Sequence, residues 1–294
     1  MNTPSQPRFS ILFIGGGNMA QAMLAGLIRS DAFSQVSIQV VEPDEGNRQR
    51  ISRQWGARVS VVTACQSLAW AGGSRKSDLH DPIPNWIILA VKPQHAQEAL
   101  APVSQQVMGV PGATSLLSIA AGLTIASLQK FSGLQAVVRT MPNTPAMVQQ
   151  GITGAYAVPQ LSAEARAQAD SILRCLGAVV WVEDEGLLDA VTAVSGSGPA
   201  YVFYFLEAFA AAGEKLGLSA DESYSLALQT IKGAIALLEN SGETPASLRT
   251  KVTSKGGTTA AALAILQSHP GGLGPLMDMA LRAAHHRAQE LSRQ

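Results

Sequence analysis

Apolar and polar positions alternate in two regimes along this chain. In the first, short apolar runs alternate with segments whose apolar residues recur at helical spacing. Phe9–Ile14, 36–41, 57–63, Trp86–Val91, Leu116–Ala120 and Ala136–Arg139 each read as a strand, and the first and fourth are apolar enough to be buried strands of a parallel sheet. Strand-like runs at 154–158 and 178–182 flank a helix over 162–176, and they either extend the sheet or cover its edge. Beyond about Asp184 strand signals stop. Helices are predicted over 200–216, 220–239, 245–252, 259–268 and 273–292. Pro199 suits a first helical turn, and Ser219 with Glu222 forms a capping-box pattern. The segment from Ala200 to Leu216 is apolar almost all round, with Tyr201, Phe203, Tyr204, Phe205, Leu206 and Phe209, so burial on every side is expected.

The first strand runs straight into Gly15, Gly16 and Gly17, and then into Met19, Met23, Leu24 and Leu27 at helical spacing. Gly15, Gly17 and Ala20 fit G-x-G-x-x-G/A between a strand and a helix. Gly15 permits the tight turn, Gly17 admits a pyrophosphate close to the backbone, and Ala20 lets the helix pack against the strand. The helix N-terminus adds free N–H groups and a partial positive charge. The whole reads as an α/β protein with an N-terminal Rossmann-type doubly wound sheet followed by an all-helical domain. The boundary is expected at 184/185, with residues 1–184 binding a dinucleotide and residues 185–294 binding substrate and dimerising.

Several further residues fall where such folds bind ligands. Glu42 closes the second strand, where an acidic residue accepts the adenosine ribose hydroxyls and favours NADH. Arg48 and Arg50 follow and are suited to a 2′-phosphate or to a solvated helix face, so NADH and NADPH both remain open. Lys92, Pro93 and Gln94 end the fourth strand, where the lysine either reaches the cofactor or lies on the surface. Ala121 and Gly122 end the fifth strand and leave room for a nicotinamide. Two prolines around Asn143 fix a turn. Residues 71–85, with Gly72, Gly73, Pro82 and Pro84, read as a long loop. In the helical half, Ser254, Gly256, Gly257, Thr258 and Thr259 precede an Ala-rich helix. Such a start binds a carboxylate through backbone N–H groups, or is ordinary capping by Thr258 or Ser254. His80, His95, His285 and His286 show no metal-ligand spacing, and Glu207 and Glu214 read as polar breaks in an apolar face.

Composition narrows the class. Apolar residues make up 47% of the 294 positions and charged ones only 14%, which points to a large core and to apolar surface covered by another subunit. Lys plus Arg and Asp plus Glu are both 21, so no basic excess argues for nucleic acid or an anionic membrane. The two cysteines, Cys65 and Cys175, make no framework, and no run reaches the ~20 apolar residues of a membrane span. The first residues hold no apolar signal-peptide core, so a cytoplasmic protein in a reducing compartment is the expectation.

Six blocks, taken together, resemble the pyrroline-5-carboxylate reductase family. They are Phe-Ile-Gly-Gly-Gly-Asn-Met-Ala (13–20), Ala-Val-Lys-Pro (90–93), Ser-Ile-Ala-Ala-Gly (118–122), Arg-Thr-Met-Pro-Asn-Thr-Pro (139–145), Ser-Gly-Ser-Gly-Pro-Ala-Tyr (195–201) and Val-Thr-Ser-Lys-Gly-Gly-Thr-Thr (252–259). The resemblance spans nearly the whole chain and favours the ligand readings of Lys92 and of the 253–259 loop. It implies that Ile14, Gly15, Gly16, Gly17, Asn18, Met19 and Ala20 hold the pyrophosphate of NADPH or NADH. Ala90, Val91, Lys92, Pro93, Ala120, Ala121 and Gly122 would line its nicotinamide half. Ser254, Gly257, Thr258 and Thr259 would seat the carboxylate and ring nitrogen of a small cyclic imine, with Thr259 fixing the face presented to the hydride. The implied reaction gives L-proline, and the implied assembly is an interlocked homodimer that can build larger rings. A protonated imine is already electrophilic, which suits a site with no evident His or Asp. Lys255 stands where the family usually has Pro, and Glu42 where many relatives carry a small polar residue. A different enzyme on the same plan, a β-hydroxyacid-type dehydrogenase, would need a lysine on a helix of the second domain. Lys215 and Lys232 are the candidates, neither in a matching motif.

Overall fold

A computed structural model of the chain describes residues 9–65, 85–107 and 114–293. The expected loop at 71–85, apart from Asn85, and His80 lie outside these. The elements up to the end of the sheet are β1 (Ser10–Ile14), α1 (Asn18–Arg29), β2 (Ser37–Val41), α2 (Glu45–Trp55), β3 (Ser60–Val62), β4 (Trp86–Leu89), α3 (Ala96–Val107), β5 (Ser115–Ser118), α4 (Ile125–Ser132), β6 (Val137–Met141), β7 (Gly151–Ala157), α5 (Ala163–Arg174) and β8 (Gly177–Trp181). The described strands form one sheet in the order β3-β2-β1-β4-β5-β6-β7-β8. Neighbours are parallel except β6 and β7, which pair Val138 with Ala157 and Met141 with Gly154 in antiparallel register. The runs at 154–158 and 178–182 therefore extend the sheet.

The central strands are apolar throughout because helices cover both faces. Ile11 and Phe13 of β1 join a cluster with Met23, Leu24 and Leu27 of α1. Leu12 and Ile14, on the alternate positions, join a second cluster with Leu100 of α3 and Leu128 of α4. One strand thus feeds two cores, as the period-two alternation of side chains requires. The strand order reverses between β1 and β4, and ligands of open α/β sheets bind beyond the carboxyl ends at that point.

The chain forms two compact units, Met1–Gly196 with Arg287–Gln294, and Ser197–His286. In the first, α6 (Leu187–Val191) widens into a π-type turn over Thr192–Gly196, where the Thr192 hydroxyl donates to the Leu188 carbonyl and that of Ser195 to Val191. The second holds α7 (Gly198–Lys215), α8 (Ala220–Ser241), α9 (Pro245–Lys251), α10 (Thr258–Leu266) and the start of α11 (Leu273–Ser292). The Ser219–Glu222 capping box opens α8 as expected. The Ser223 hydroxyl donates to the Ala210 carbonyl at 2.6 Å, so small residues set the α7–α8 crossing. No described helix is long and apolar enough to cross a membrane.

The expectation that α7 is buried on every side is not met within one chain. Ala210 is its buried residue, while Phe203 is 61% exposed and Tyr204 71%. The helix is apolar all round, yet α8 covers only the small-residue stripe.

Gly26 of α1 shows how tightly the first unit closes. A Cβ there would collide with the Cys175 carbonyl oxygen at the end of α5. Gly26→Ala gains about 1 kcal/mol in helix propensity and loses more to a backbone clash of about 1–3 kcal/mol or above. The expected outcome is net destabilisation, read as a lower urea midpoint at unchanged m-value; a raised midpoint would show that α5 yields.

Candidate functional site

The turn after β1 is built by contact. The Gly15 N–H donates to the Val41 carbonyl at 2.9 Å, and the Ala90 N–H to the Ile14 carbonyl at 2.8 Å. Gly15 has φ +98°, and a Cβ on it would stand 2.7 Å from the Ala90 carbonyl oxygen. Only glycine fits there. Gly16 is buried, and a Cβ on it would press on Ile51 of α2. Gly17 differs: its φ is −66°, it caps α1 without a side-chain hydrogen bond, and a Cβ on it would meet no protein atom within 4 Å. Asn18 opens the helix at the surface, Met19 is half-buried against the core, and Ala20 is buried. An uncapped helix start facing open space through bare backbone fits a pyrophosphate, in the place where the fold binds ligands.

Glu42 lies at the end of β2 as expected, and it is only 6% exposed. One carboxylate oxygen accepts the Gly16 N–H at 2.8 Å and the other accepts the Asp44 N–H at 2.8 Å. The carboxylate therefore shapes the glycine turn itself, and each oxygen keeps a lone pair for a hydroxyl donor. The Arg48 guanidinium donates to the carbonyls of Glu42 and Pro43, and that of Arg50 to Asn47.

The loops after β4 and β5 flank this turn. Ala90 and Val91 are half-buried, and the Val91 side chain approaches Gly15. Lys92 is exposed and precedes the short turn Pro93–His95. Ala120 is buried with its N–H on the Ser118 hydroxyl at 3.2 Å, Ala121 is exposed, and Gly122 turns the chain with φ +79°.

Beneath this loop lies a charged cluster that the sequence reading did not single out. Arg139 of β6 is buried, 2.8 Å from Glu185 and 3.7 Å from Asp189 of α6. The signal was present: an arginine inside an apolar strand must find partners, because an unpaired buried charge is costly. The cysteines are unlike nucleophiles. Both are free, and burial raises both thiols, Cys175 to about 11. Among the described residues no three His, Cys, Asp or Glu side chains gather as metal ligands.

The remaining candidates lie in the second unit. Gly256, with φ +74°, turns the chain into Gly257, which caps α10 with no side-chain hydrogen bond. The Gly257 N–H donates to the Ser254 carbonyl at 3.1 Å. Capping by Ser254 or Thr258 is thus not what the loop does, and the first-turn N–H groups of α10 find no partner inside the helix. Thr258 is exposed, Thr259 half-buried, and Lys255 exposed.

Known proteins align with both units. Residues 185–291 match the family model for pyrroline-5-carboxylate reductase dimerisation, and residues 10–122 match that for NADP oxidoreductase, coenzyme F420-dependent. A pyrroline-5-carboxylate reductase of Pseudomonas aeruginosa is 40% identical over 294 residues, covering 99% of this chain and 98% of the relative. One from Synechocystis is 38% identical over 280 residues, covering 95% and 97%. The solved structure of a pyrroline-5-carboxylate reductase from Coxiella burnetii superposes with a TM-score of 0.85 at 32% identity, covering 98% of this chain and 100% of that one. That of the Plasmodium falciparum pyrroline carboxylate reductase with NADP bound gives 0.75 at 25% identity, covering 97% and 98%.

The glycines separate folding from binding. Gly15→Ala is expected to lower the thermal midpoint, since it combines positive φ with a backbone clash. Gly17→Ala at an N-cap costs about 0.5–1 kcal/mol and, compared with Gly15→Ala, should lower the midpoint much less. Its ADP affinity should drop roughly tenfold, about 1.4 kcal/mol, by calorimetry. Unchanged ADP affinity in Gly17→Ala would remove the pyrophosphate from this turn.

Proposed function

The chain belongs to the pyrroline-5-carboxylate reductase family, and on that premise we propose that it reduces 1-pyrroline-5-carboxylate to L-proline in the cytoplasm, using NAD(P)H. The observation that carries the reading is the pair of uncapped helix starts, each fronted by bare glycine backbone, at α1 and at α10. The cofactor, when bound, would supply a hydride to C5 of the imine already protonated at nitrogen, the C=N π pair becoming the nitrogen lone pair of proline. The chain's own residues bind and orient. Gly15–Gly17 and the first turn of α1 take the pyrophosphate. Ala90–Pro93 and Ala120–Gly122 line the nicotinamide half. Ser254, Gly257 and Thr258, with the free N–H groups of α10, hold the substrate carboxylate, and the Thr259 hydroxyl bonds the ring nitrogen. Residues 1–184 are proposed as the cofactor half and residues 185–294 as the substrate and dimerisation half, two copies associating as a homodimer.

The hydroxyacid alternative is not favoured. Lys215 and Lys232 are both exposed, one ending α7 and the other within α8.

Glu42 sets the preference between cofactors. Its buried carboxylate faces the glycine turn, while the nearby Arg48 is turned onto the backbone carbonyls of Glu42 and Pro43 and Arg50 onto the Asn47 side-chain amide oxygen. A ribose hydroxyl can donate to that carboxylate, whereas a 2′-phosphate is repelled by it.

Two measurements check these roles. Steady-state oxidation of NADH and NADPH with pyrroline-5-carboxylate is expected to show turnover, with the higher kcat/KM for NADH. Glu42→Ser should move that ratio toward NADPH by roughly tenfold, about 1.4 kcal/mol. Cofactor binding without imine reduction by the wild type would sink the reductase reading, and an NADPH preference that Glu42→Ser leaves alone would sink the role of Glu42. Separately, Thr259→Ala is expected to lower kcat roughly tenfold, as for one lost hydrogen bond of about 1.4 kcal/mol, with the cofactor KM unchanged. Full activity in that variant would remove Thr259 from the chemistry.

A further inference from the structure

Arg139 lies in neither of the two groups just described, yet its contacts converge on one of them. The guanidinium reaches Glu185 at 2.8 Å, Asp189 at 3.7 Å and the Ser292 hydroxyl at 3.3 Å. Glu185 precedes α6, Asp189 lies on it, and Ser292 is the last residue of α11. All belong to the first compact unit, which the chain leaves after Gly196 and rejoins at Arg287. Arg139 therefore ties the segment before that departure to the segment after that return.

Two of these ties lead on to the ends of the loop that follows β5. The Glu185 oxygen bound by Arg139 also accepts the N–H of Ile125, the first residue of α4, at 2.8 Å. The Ser292 hydroxyl donates to Asp189 at 2.9 Å, which fixes the last turn of α11. The carbonyl of Leu291, in that turn, lies so close to Gly122 that a Cβ on Gly122 would stand 3.3 Å from it. From the other side, the hydroxyl of Thr140, next to Arg139, donates to the Ser118 carbonyl at 2.8 Å. Ser118 and Ile125 are thus each held within one or two hydrogen bonds of Arg139 or its neighbour, and Gly122 lies against the α11 turn that Arg139 fixes.

A buried ion pair of this kind is a poor device for stability alone, since well-packed apolar residues often do as well. What it supplies is fixed geometry, because Glu185 and Ser292 must both sit at hydrogen-bonding distance and angle from the guanidinium, and Asp189 is tied in through the Ser292 hydroxyl. We propose that Arg139 is a positioning residue for the nicotinamide end of the cofactor site. It clamps the last turn of α11 and the start of α4 around the 118–125 loop, so that Ala120–Gly122 present a rigid surface to the ring. The inference rests on the reading that these residues line the nicotinamide half. It also makes the last turn of α11 a support for the 118–125 loop. A displacement on the order of 1 Å in a surface that orients a hydride donor is enough to slow transfer strongly.

The test separates the two halves of the cofactor. ADP reports the adenine half, seated on Gly15–Gly17, and the full dinucleotide reports both halves. Affinities for ADP, NADH and NADPH are measured by calorimetry for the wild type, Arg139→Lys and Ser292→Ala, alongside kcat and KM. Lysine keeps the charge but cannot fork to Glu185 and Ser292 at once. Both variants are expected to bind ADP within about twofold of the wild type and the preferred dinucleotide roughly tenfold (Arg139→Lys) and threefold (Ser292→Ala) more weakly, differences of about 1.4 and 0.6 kcal/mol. Cofactor KM should rise accordingly while the KM for pyrroline-5-carboxylate holds. Equal weakening of ADP and dinucleotide would make the cluster merely structural and overturn the proposal, as would unchanged dinucleotide affinity in both variants. Should Arg139→Lys fail to fold, Ser292→Ala decides alone. The reductase reading is judged on the wild type: dinucleotide binding without imine turnover would remove that reading and leave the clamp standing, and no dinucleotide binding would remove both.

Discussion

The first unit depends on one close approach, that of Gly15 to the carbonyl of Ala90. A side chain at residue 15 would stand 2.7 Å from that oxygen, so β1 and β4 keep their spacing only with glycine at the turn. This approach occurs at the point where strand order reverses. Because the chain can turn so sharply there, α1 starts directly above the sheet and its free N–H groups face outward. Because α1 starts there, Ala20 must be small, and Met23, Leu24 and Leu27 meet Ile11 and Phe13 below. Core and ligand cradle are two consequences of one backbone contact.

Glu42 extends the same constraint. Gly16 offers an N–H that in many such turns is left for a phosphate, and here a buried carboxylate takes it. The turn is thereby braced from β2, the neighbour of β1, and not only from β4. On the proposed reading the carboxylate that holds the turn also faces the ribose of the dinucleotide, which would tie cofactor choice to how the turn is built.

Much of this was legible in the sequence, since continuous apolar runs, glycines and helix caps act locally. The strands, the glycine turn and the capped start of α8 all follow from neighbours along the chain. What was not legible depends on partners far away in sequence. The direction of β7 and β8 is set by pairing across β6, which alternation does not encode. β3 shortens to Ser60–Val62 because Gly56–Arg58 turn before it, against an apolar pattern that reads longer. The partners of Arg139, Glu185, Asp189 and Ser292, lie 46, 50 and 153 positions away. The charge was visible, but its partners were not.

The same limit explains α7. Its composition correctly marks a helix with no face suited to water, and within one chain only the crossing with α8 is closed, by Ala210 and Ser223. Phe203, Tyr204, Phe205 and Phe209 remain exposed there. Apolar surface of that extent is uncommon on a monomer that works alone. A sequence pattern reports how much of a helix must be covered and not which molecule covers it. Residues 185–291 match a dimerisation family, so the apolar faces that one chain leaves open are those of a domain whose family pairs with another copy.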